Sequence, residues 1–198
     1  RINFVNRLSK ERYTTNQIYL NGSGVAAGDY DGDGLCDLFF CGLDSENKLY
    51  RNLGGFKFED VSEKARVRGR NIASTGATFA DVNGNGRLDL LINSVGQGTW
   101  VLLNAGDGTF RATRPINLHK GGMSMALADV DGDSDLDLYV TNYRTSTIRD
   151  EPGTKLKGRT VNGKPEVVAI NGRSLAEANS IGRFTLKNNG KIQENGQS

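Results

Sequence analysis

The sequence predicts an all-β protein built from β-propeller blades, and three observations support this fold class. Gly is abundant at 26 of 198 residues, Pro is scarce at 3, and 36% of the residues are hydrophobic. An acidic motif occurs three times at nearly constant spacing. Short apolar segments with the length of strands precede and follow each motif. Short strands, glycine-rich turns and a period of about 50 residues are typical of propeller blades, and they predict about three four-stranded blades here.

The first motif, at residues 29–38, reads DYDGDGLCDL and has carboxylates at its first, third, fifth and ninth positions. These carboxylates would repel one another strongly unless a cation lay among them. Hard oxygen ligands in this number suit Ca²⁺, which accepts six to eight of them in irregular geometry. Gly32 and Gly34 allow the positive φ angles of a tight loop. The candidate ligands are Asp29, Asp31, Asp33, the backbone carbonyl of Leu35, and Asp37.

The motif recurs at residues 81–90 (DVNGNGRLDL) and 129–138 (DVDGDSDLDL), so its first Asp falls at positions 29, 81 and 129. Three copies at this nearly even spacing are not expected by chance and indicate one metal loop per repeat. An EF-hand is excluded, because its twelfth position requires a bidentate Glu. That position is held here by Phe40, Ile92 and Val140, each within an apolar segment.

The predicted strands follow the same order in each repeat. Residues 17–20 read as a first strand. In the first repeat the strands are 25–28, 38–41, 48–52 and 54–58, and in the second they are 76–80, 90–92, 100–104 and 106–110. The third repeat begins with 123–128 and 138–141. The apolar segments that follow the motifs are expected to be covered on both faces, and the small residues before them suit the crowded centre of a ring.

Residues 143–198 contain no fourth motif. They contain Asn-Gly turn signals at 162–163, 171–172 and 189–190, which predict β-hairpins. The expected organisation is therefore a propeller-repeat region at 1–142 and a hairpin insertion, or continuation of the third blade, at 143–198.

Charge and composition exclude several partners. The net charge is +2, yet 11 of the 23 acidic residues lie in the three motifs, and Lys and Arg are scattered elsewhere. Without a basic block, a nucleic-acid partner is not expected. No segment approaches the ~18–20 apolar residues of a membrane span. Cys36 and Cys41 fall on one predicted strand with side chains on opposite faces, which favours two buried thiols over a disulfide.

The sequence offers little support for catalysis, and no catalytic residue is predicted. His119 is the single histidine, so any catalytic triad would depend on it. Residues 122–126 (GMSMA) approximate a nucleophile elbow but lack its final Gly. The many Asp residues could form a glycosidase pair, but their fixed metal-loop spacing argues against free carboxylates.

Beyond the motifs, residues 49–61 (LYRNLGGFKFEDV) and 104–110 (NAGDGTF) complete a resemblance to FG-GAP/VCBS repeats over residues 13–142. Such repeats are the calcium-loaded blades also found in the integrin α-chain head. The closer resemblance is to bacterial proteins related to cartilage acidic protein, which often carry an ASPIC/UnbV module. The resemblance implies a seven-bladed propeller, with the remaining blades supplied by a longer chain or by self-association.

The resemblance also implies one Ca²⁺ in each of three loops, with the ligands carried over by position. Because site two has the fewest charged ligands, it is expected to bind Ca²⁺ most weakly. Site one comprises Asp29, Asp31, Asp33, Leu35 and Asp37; site two Asp81, Asn83, Asn85, Arg87 and Asp89; and site three Asp129, Asp131, Asp133, Asp135 and Asp137, with Leu35, Arg87 and Asp135 acting through their carbonyls.

The expected function is that of a non-catalytic, calcium-binding scaffold that presents loops to a protein or glycan partner. The expected location is extracellular, at the cell surface or in the periplasm, where calcium of this affinity class is available. The alternative is a secreted or periplasmic propeller associated with a glycan-active hydrolase that uses the loop carboxylates.

Overall fold

The computed structural model describes residues 1–143, 155–174, 184–186 and 192–194, and nearly all of its regular structure is antiparallel β-sheet. The chain divides into two compact units, one of residues Arg1–Tyr13 and Ile18–Thr145 and the other of Thr14–Gln17 and Ser146–Ser198. The elements are α1 (Lys10–Thr15), a 3-10 helix (Gln17–Asn21), β1 (Val25–Gly28), β2 (Asp37–Phe40), β3 (Lys48–Asn52), β4 (Phe58–Asp60), β5 (Ser74–Ala80), β6 (Asp89–Ser94), β7 (Thr99–Asn104), β8 (Phe110–Ala112), β9 (Gly121–Ala128), β10 (Asp137–Tyr143), β11 (Leu156–Val161), β12 (Lys164–Ile170), β13 (Arg173–Ser174), β14 (Phe184–Leu186) and β15 (Ile192–Glu194).

The first two repeats each form a four-stranded antiparallel sheet. Strands β1 to β4 and strands β5 to β8 pair in chain order, which is the arrangement of a propeller blade. The registers of the two sheets correspond, because Leu38 pairs with Tyr50 in the first and Leu90 pairs with Leu102 in the second. The all-β, blade-like fold predicted from the repeats is confirmed. No closed barrel forms among the described residues.

Among the described residues, the third repeat contributes only the two-stranded sheet of β9 and β10. The prediction that all three apolar segments are covered on both faces is wrong for this repeat. Strand β6 is buried throughout, whereas β10 alternates between exposed and half-buried residues, and Tyr139 is 71% exposed. The reason is that the described part of the chain pairs β10 with β9 alone, so no neighbour covers its outer face.

One hydrophobic core joins the first two blades. Its centre contains the fully buried side chains of Phe39 and Leu49 from the first sheet and Leu90 from the second. Val67, from the connection between the sheets, is buried in the same cluster. Such a shared core explains why neighbouring repeats depend on each other for stability.

The first strands of the three repeats approach closely where glycines occur. A Cβ on Gly24 would lie 2.8 Å from the Cα of Gly76, and a Cβ on Gly76 would lie 2.8 Å from the carbonyl oxygen of Met123. The Thr75 hydroxyl also donates a hydrogen bond to the carbonyl of Gly122. The small residues thus mark a close approach between repeats, as predicted, whereas their place at the centre of a ring stays a prediction.

The prediction of a strand at residues 17–20 is wrong, because Gln17–Asn21 form a 3-10 helix. In a strand, Ile18 and Leu20 would share a face, but Ile18 is 2% exposed and Leu20 is 60% exposed. Of the residues in this 3-10 helix, Ile18 alone is buried.

The preceding helix, α1, is capped by Ser9, whose hydroxyl accepts a hydrogen bond from the Arg12 N–H at 3.3 Å.

In the second unit, β11, β12 and β13 form an antiparallel sheet whose two turns confirm the Asn-Gly predictions. Asn162 and Gly163 have φ values of 50° and 76°, and Asn171 and Gly172 have values of 51° and 82°. Two successive positive φ angles define the type I′ turn that suits a two-residue hairpin. The third predicted turn, at 189–190, lies outside the described residues.

The cysteines differ from the prediction of two buried thiols. Both are free, but Cys36 is exposed and only Cys41 is buried. Strand β2 starts after Cys36 and ends before Cys41, so the two residues are not the ends of one extended strand. Burial raises the pKa of the Cys41 thiol to about 12.

No helix in the described part of the chain has the length and hydropathy needed to cross a membrane.

Candidate metal centres

All three motif loops use their first Asp to organise the turn. In loop one, Asp29 Oδ1 accepts hydrogen bonds from the N–H groups of Gly32 and Asp33, at 2.8 and 3.1 Å, and Oδ2 accepts from Gly34 at 2.9 Å. Asp129 makes the same three bonds in loop three, and Asp81 makes two of them in loop two. The N–H of Gly86 is the main reason why the pKa of Asp81 is lowered. The shared pattern shows that the sequence repeat is a repeat of geometry.

The ninth-position Asp connects each loop to the strands. Asp37 Oδ2 accepts from the Tyr30 N–H at 3.0 Å, and Asp37 Oδ1 accepts from the Asn52 N–H on β3 at 2.8 Å. Asp89 repeats this with Val82 and Asn104, at 3.1 and 2.7 Å. Burial raises the pKa of Asp37 in spite of these two donors. A fully buried carboxylate of this kind is stabilised by a neighbouring cation.

Carboxylates converge in two of the loops. The oxygens of Asp29, Asp31 and Asp37 lie within 4.8 Å of one another, as do those of Asp129, Asp131 and Asp137. This donor set consists of hard oxygens, and several lone pairs are left free by the backbone hydrogen bonds. The residues therefore fit a hard divalent cation such as Ca²⁺, with the first, third and ninth positions as its carboxylate ligands.

The fifth position plays a different part from the other three. Asp33 Oδ1 accepts from the Leu35 N–H at 2.9 Å, and Asn85 and Asp133 make the corresponding bond to Arg87 and Asp135. Among the described residues, neither Asp33, Asp133 nor Asp135 belongs to the two converging groups. Their assignment as ligands, and that of the carbonyls of Leu35, Arg87 and Asp135, stays a prediction.

Site two has fewer carboxylates, as its sequence requires. Loop two keeps Asp81 and Asp89 at its first and ninth positions, and Asn83 and Asn85 replace the acids at its third and fifth positions. The Arg87 Nε donates to the Asn104 carbonyl at 3.3 Å. Site two therefore keeps the loop geometry with a lower negative charge.

A cation that sequence reasoning overlooked lies at site one. Arg51 Nε is 2.5 Å from Asp31 Oδ2, and Arg51 Nη2 donates to Asp33 Oδ2 at 2.9 Å. The hydrogen bond to Asp33 is the main reason why the pKa of Arg51 is raised. The signal in the sequence was weak, since Arg51 lies in β3 and the whole of β2 separates it from the loop.

Sequence reasoning also missed two asparagines that support the loops. Asn52 Nδ2 donates to the Cys36 carbonyl at 2.9 Å, and Asn104 Nδ2 donates to the carbonyls of Leu88 and Tyr30, at 3.0 and 2.8 Å. The two asparagines are separated along the chain by the same interval as the first two motifs. That coincidence was the signal that could have identified them.

The candidate catalytic residues are not assembled into a site. His119 is exposed with a φ of 61°, and its N–H donates to the Gly96 carbonyl at 3.2 Å, as expected of a turn residue. Ser124 lies within β9, where its N–H and carbonyl contact the Thr141 hydroxyl. The described geometry gives neither residue a nucleophile or base partner.

The family of the chain follows from comparison with known repeats. A model described as an FG-GAP-like repeat matches residues 29–92 and 81–140, which together span more than half of the chain. The chain therefore belongs to the FG-GAP-like repeat family, whose repeats form β-propeller blades. Repeats of this family are generally non-catalytic and typically occur in extracellular or periplasmic proteins. No curated protein matches the sequence.

Proposed function

We propose that this protein is a calcium-binding β-propeller scaffold that recognises a protein or glycan ligand outside the cytoplasm and catalyses no reaction. The observation that supports it most is the convergence of three carboxylates at the same loop positions in two repeats. Shared backbone hydrogen bonds extend the same loop geometry to the second repeat. A relationship to cartilage-acidic-protein-like proteins with an ASPIC/UnbV module, and a role in adhesion, are part of this proposal.

In this function, Ca²⁺ would be held by Asp29, Asp31 and Asp37 at site one and by Asp129, Asp131 and Asp137 at site three. When bound, the ion neutralises carboxylates that otherwise repel one another. The chain itself supplies the rest of the site. Backbone N–H groups orient the first Asp, and Asn52 holds the ninth-position Asp against β3. Each loop is thereby fixed to its blade, which keeps neighbouring surface loops in one arrangement for a ligand.

Thermal unfolding with Ca²⁺, with Mg²⁺ and with a chelator tests the calcium function. We expect Ca²⁺ to raise the midpoint temperature and Mg²⁺ to leave it close to the chelator value, because Mg²⁺ requires a stricter octahedral geometry. At a Ca²⁺ concentration 100 times the dissociation constant, each occupied site adds about 2.7 kcal/mol to the free energy of unfolding. Identical midpoints with Ca²⁺ and with chelator would contradict the proposal.

A pair of variants assigns the effect to the loops. Asp29→Asn removes a charge from site one and should reduce the Ca²⁺-dependent increase in midpoint. Glu63→Gln removes an acid whose side chain is 78% exposed and pairs with Arg68 outside the loops. This variant should therefore show the same Ca²⁺-dependent increase in midpoint as the wild type.

The ligand class is tested with glycan arrays and protein-display libraries, each in Ca²⁺ and in chelator. Binding that is equal under both conditions would argue against a scaffold ordered by calcium.

A further inference from the structure

We propose that Arg51 is a built-in competitor for Ca²⁺ at site one, so that this site binds Ca²⁺ more weakly than its number of carboxylates implies. The inference rests on the proposed calcium function. The guanidinium contacts two predicted ligands at once, with Nε 2.5 Å from Asp31 and Nη2 2.9 Å from Asp33. Asp31 is also one of the three converging carboxylates. An incoming ion must therefore share the Asp31 carboxylate with Arg51 or displace the arginine from it.

The position of Arg51 is set by its strand. In β3 it pairs with Glu59 of β4, and the N–H of the next residue, Asn52, is bonded to the Asp37 carboxylate. The backbone of residue 51 is consequently held close to the loop. The ion pair lies at the surface, with 37% of the Arg51 side chain and 17% of the Asp31 side chain exposed, so solvent screens it in part. The competition with a metal is therefore expected to be modest.

The second repeat provides an internal comparison. The residue equivalent to Arg51 is Leu103, because each directly precedes the asparagine that ends its strand. Leu103 is paired across the sheet with Arg111, whereas Arg51 is paired with an acid. This strand position thus carries a cation where the loop has four acids and a leucine where the loop has two. Counting Arg51, the formal charge of site one changes from −4 to −3, and counting Arg87, at the seventh position of loop two, that of site two changes from −2 to −1. The two arginines differ in their partners, because Arg51 is paired with a loop carboxylate, Asp31, whereas Arg87 Nε donates to a backbone carbonyl.

Glu59 gives the displaced guanidinium an alternative partner. It is exposed and directly opposite Arg51, at a separation of about 5 Å between Cβ atoms for such pairs. When Ca²⁺ takes Asp31, Arg51 can move from the loop to Glu59 without losing a carboxylate neighbour. Without metal, the loop carboxylates are then paired with Arg51. With Ca²⁺ bound, Arg51 is paired with Glu59 and no longer contacts the loop.

The test is isothermal titration calorimetry with Ca²⁺ on the full chain after removal of metal by a chelator. In Arg51→Gln, one site should gain about three- to tenfold in affinity, because the competing charge is gone. Arg111→Gln removes the same charge from the matching region of the second blade and should stay within about twofold of the wild type. Arg51→Lys keeps the charge but loses the two-pronged contact, so its affinity should fall between those of the wild type and Arg51→Gln.

Three further measurements make the result specific to site one. In chelator, Arg51→Gln should unfold about 2–4 °C below the wild type, and in saturating Ca²⁺ the difference should disappear. In an Asp31→Asn background, Arg51→Gln should lose most of its effect on affinity. Leu103→Arg places an arginine at the equivalent position of the second blade and should weaken Ca²⁺ binding at site two. If Arg51→Gln does not fold without metal, this variant tests whether an arginine at this position competes with Ca²⁺.

The outcomes separate this inference from the calcium function. If the wild type binds Ca²⁺ and Arg51→Gln binds it with equal or lower affinity, the role of Arg51 is overturned while the calcium function stands. If neither the wild type nor Arg111→Gln binds Ca²⁺, the calcium function fails and the competition fails with it.

Discussion

At the scale of single residues, the three loops differ at their sixth position, where the backbone must adopt a positive φ. Glycine meets this requirement in loops one and two, with φ values of 83° at Gly34 and 79° at Gly86. Loop three has Ser134 with a φ of 75°. A residue with a Cβ is strained in this conformation, so loop three stores backbone strain that the other loops avoid.

We therefore expect Ser134→Gly to stabilise the protein by about 0.5–1 kcal/mol, the relief of strain being partly offset by the greater freedom of glycine in the unfolded chain. The hydrogen bond from the backbone N–H of residue 134 to Asp129 does not need the side chain and is retained. Denaturant unfolding in chelator measures the change. Ser124→Gly, in strand β9, is the control and should destabilise; a loss of stability in both variants would refute the strain argument.

At the scale of elements, the N-terminal segment is attached to the first blade through Asp44. Its carboxylate accepts a hydrogen bond from the Ser9 N–H at 2.5 Å and pairs with the Arg12 guanidinium. Burial disfavours the charged form, but these two donors outweigh it and hold the pKa of Asp44 below its ordinary value. The segment's attachment is thus strongest when Asp44 is ionised.

Because the pKa is lower in the folded state, the stabilisation is present above the unfolded pKa of about 3.9 and is lost as the pH falls through the folded value. Asp44→Asn should cost about 1 kcal/mol at pH 7, and its difference from the wild type should shrink below about pH 4. Unfolding midpoints at pH 7 and pH 3 measure this. Glu63→Gln, a change of an acid that is 78% exposed and lies outside the segment, should show no such convergence. A constant deficit for Asp44→Asn at both pH values would exclude an ionic contribution.

At the scale of the whole molecule, the repeats are held together at their glycine contacts. Gly76 lies between Gly24 of the first repeat and Met123 of the third. The obstructing atom beside Gly76 is a backbone carbonyl oxygen, which cannot move away as a flexible side chain can. Added volume at this position must therefore separate the strands of neighbouring repeats.

Gly76→Ala should destabilise the protein by about 1–3 kcal/mol, as overpacking does in close-packed interiors. Ala27→Ser, on the exposed face of β1, also adds one heavy atom and should change the stability by less than about 0.5 kcal/mol. Denaturant unfolding in saturating Ca²⁺ compares the two variants. Equal effects would show that the contact between repeats is looser than the structure indicates.

Features that repeat in the sequence were predictable, and features that depend on one partner were not. The motif period predicted the blades, and alternating acids and glycines predicted the loops. Arg51 was missed because nothing local links it to Asp31, which lies in the loop before β2. The 3-10 helix at Gln17–Asn21 was missed because the apolar alternation of residues 17–20 equally suits a strand, and only packing around Ile18 distinguishes the two. Exposure of β10 depends on its neighbours, which the apolar pattern of the segment cannot encode.

The side chain of Asn104 reaches across two repeats. The backbone N–H of this residue holds Asp89 in loop two, while its Nδ2 donates to the Tyr30 carbonyl in loop one. Ordering either loop therefore favours the bonded form of the other, and thermodynamic linkage makes that influence equal in both directions. Consecutive loops joined in this way are expected to order together, so that loosening one loop also loosens the other.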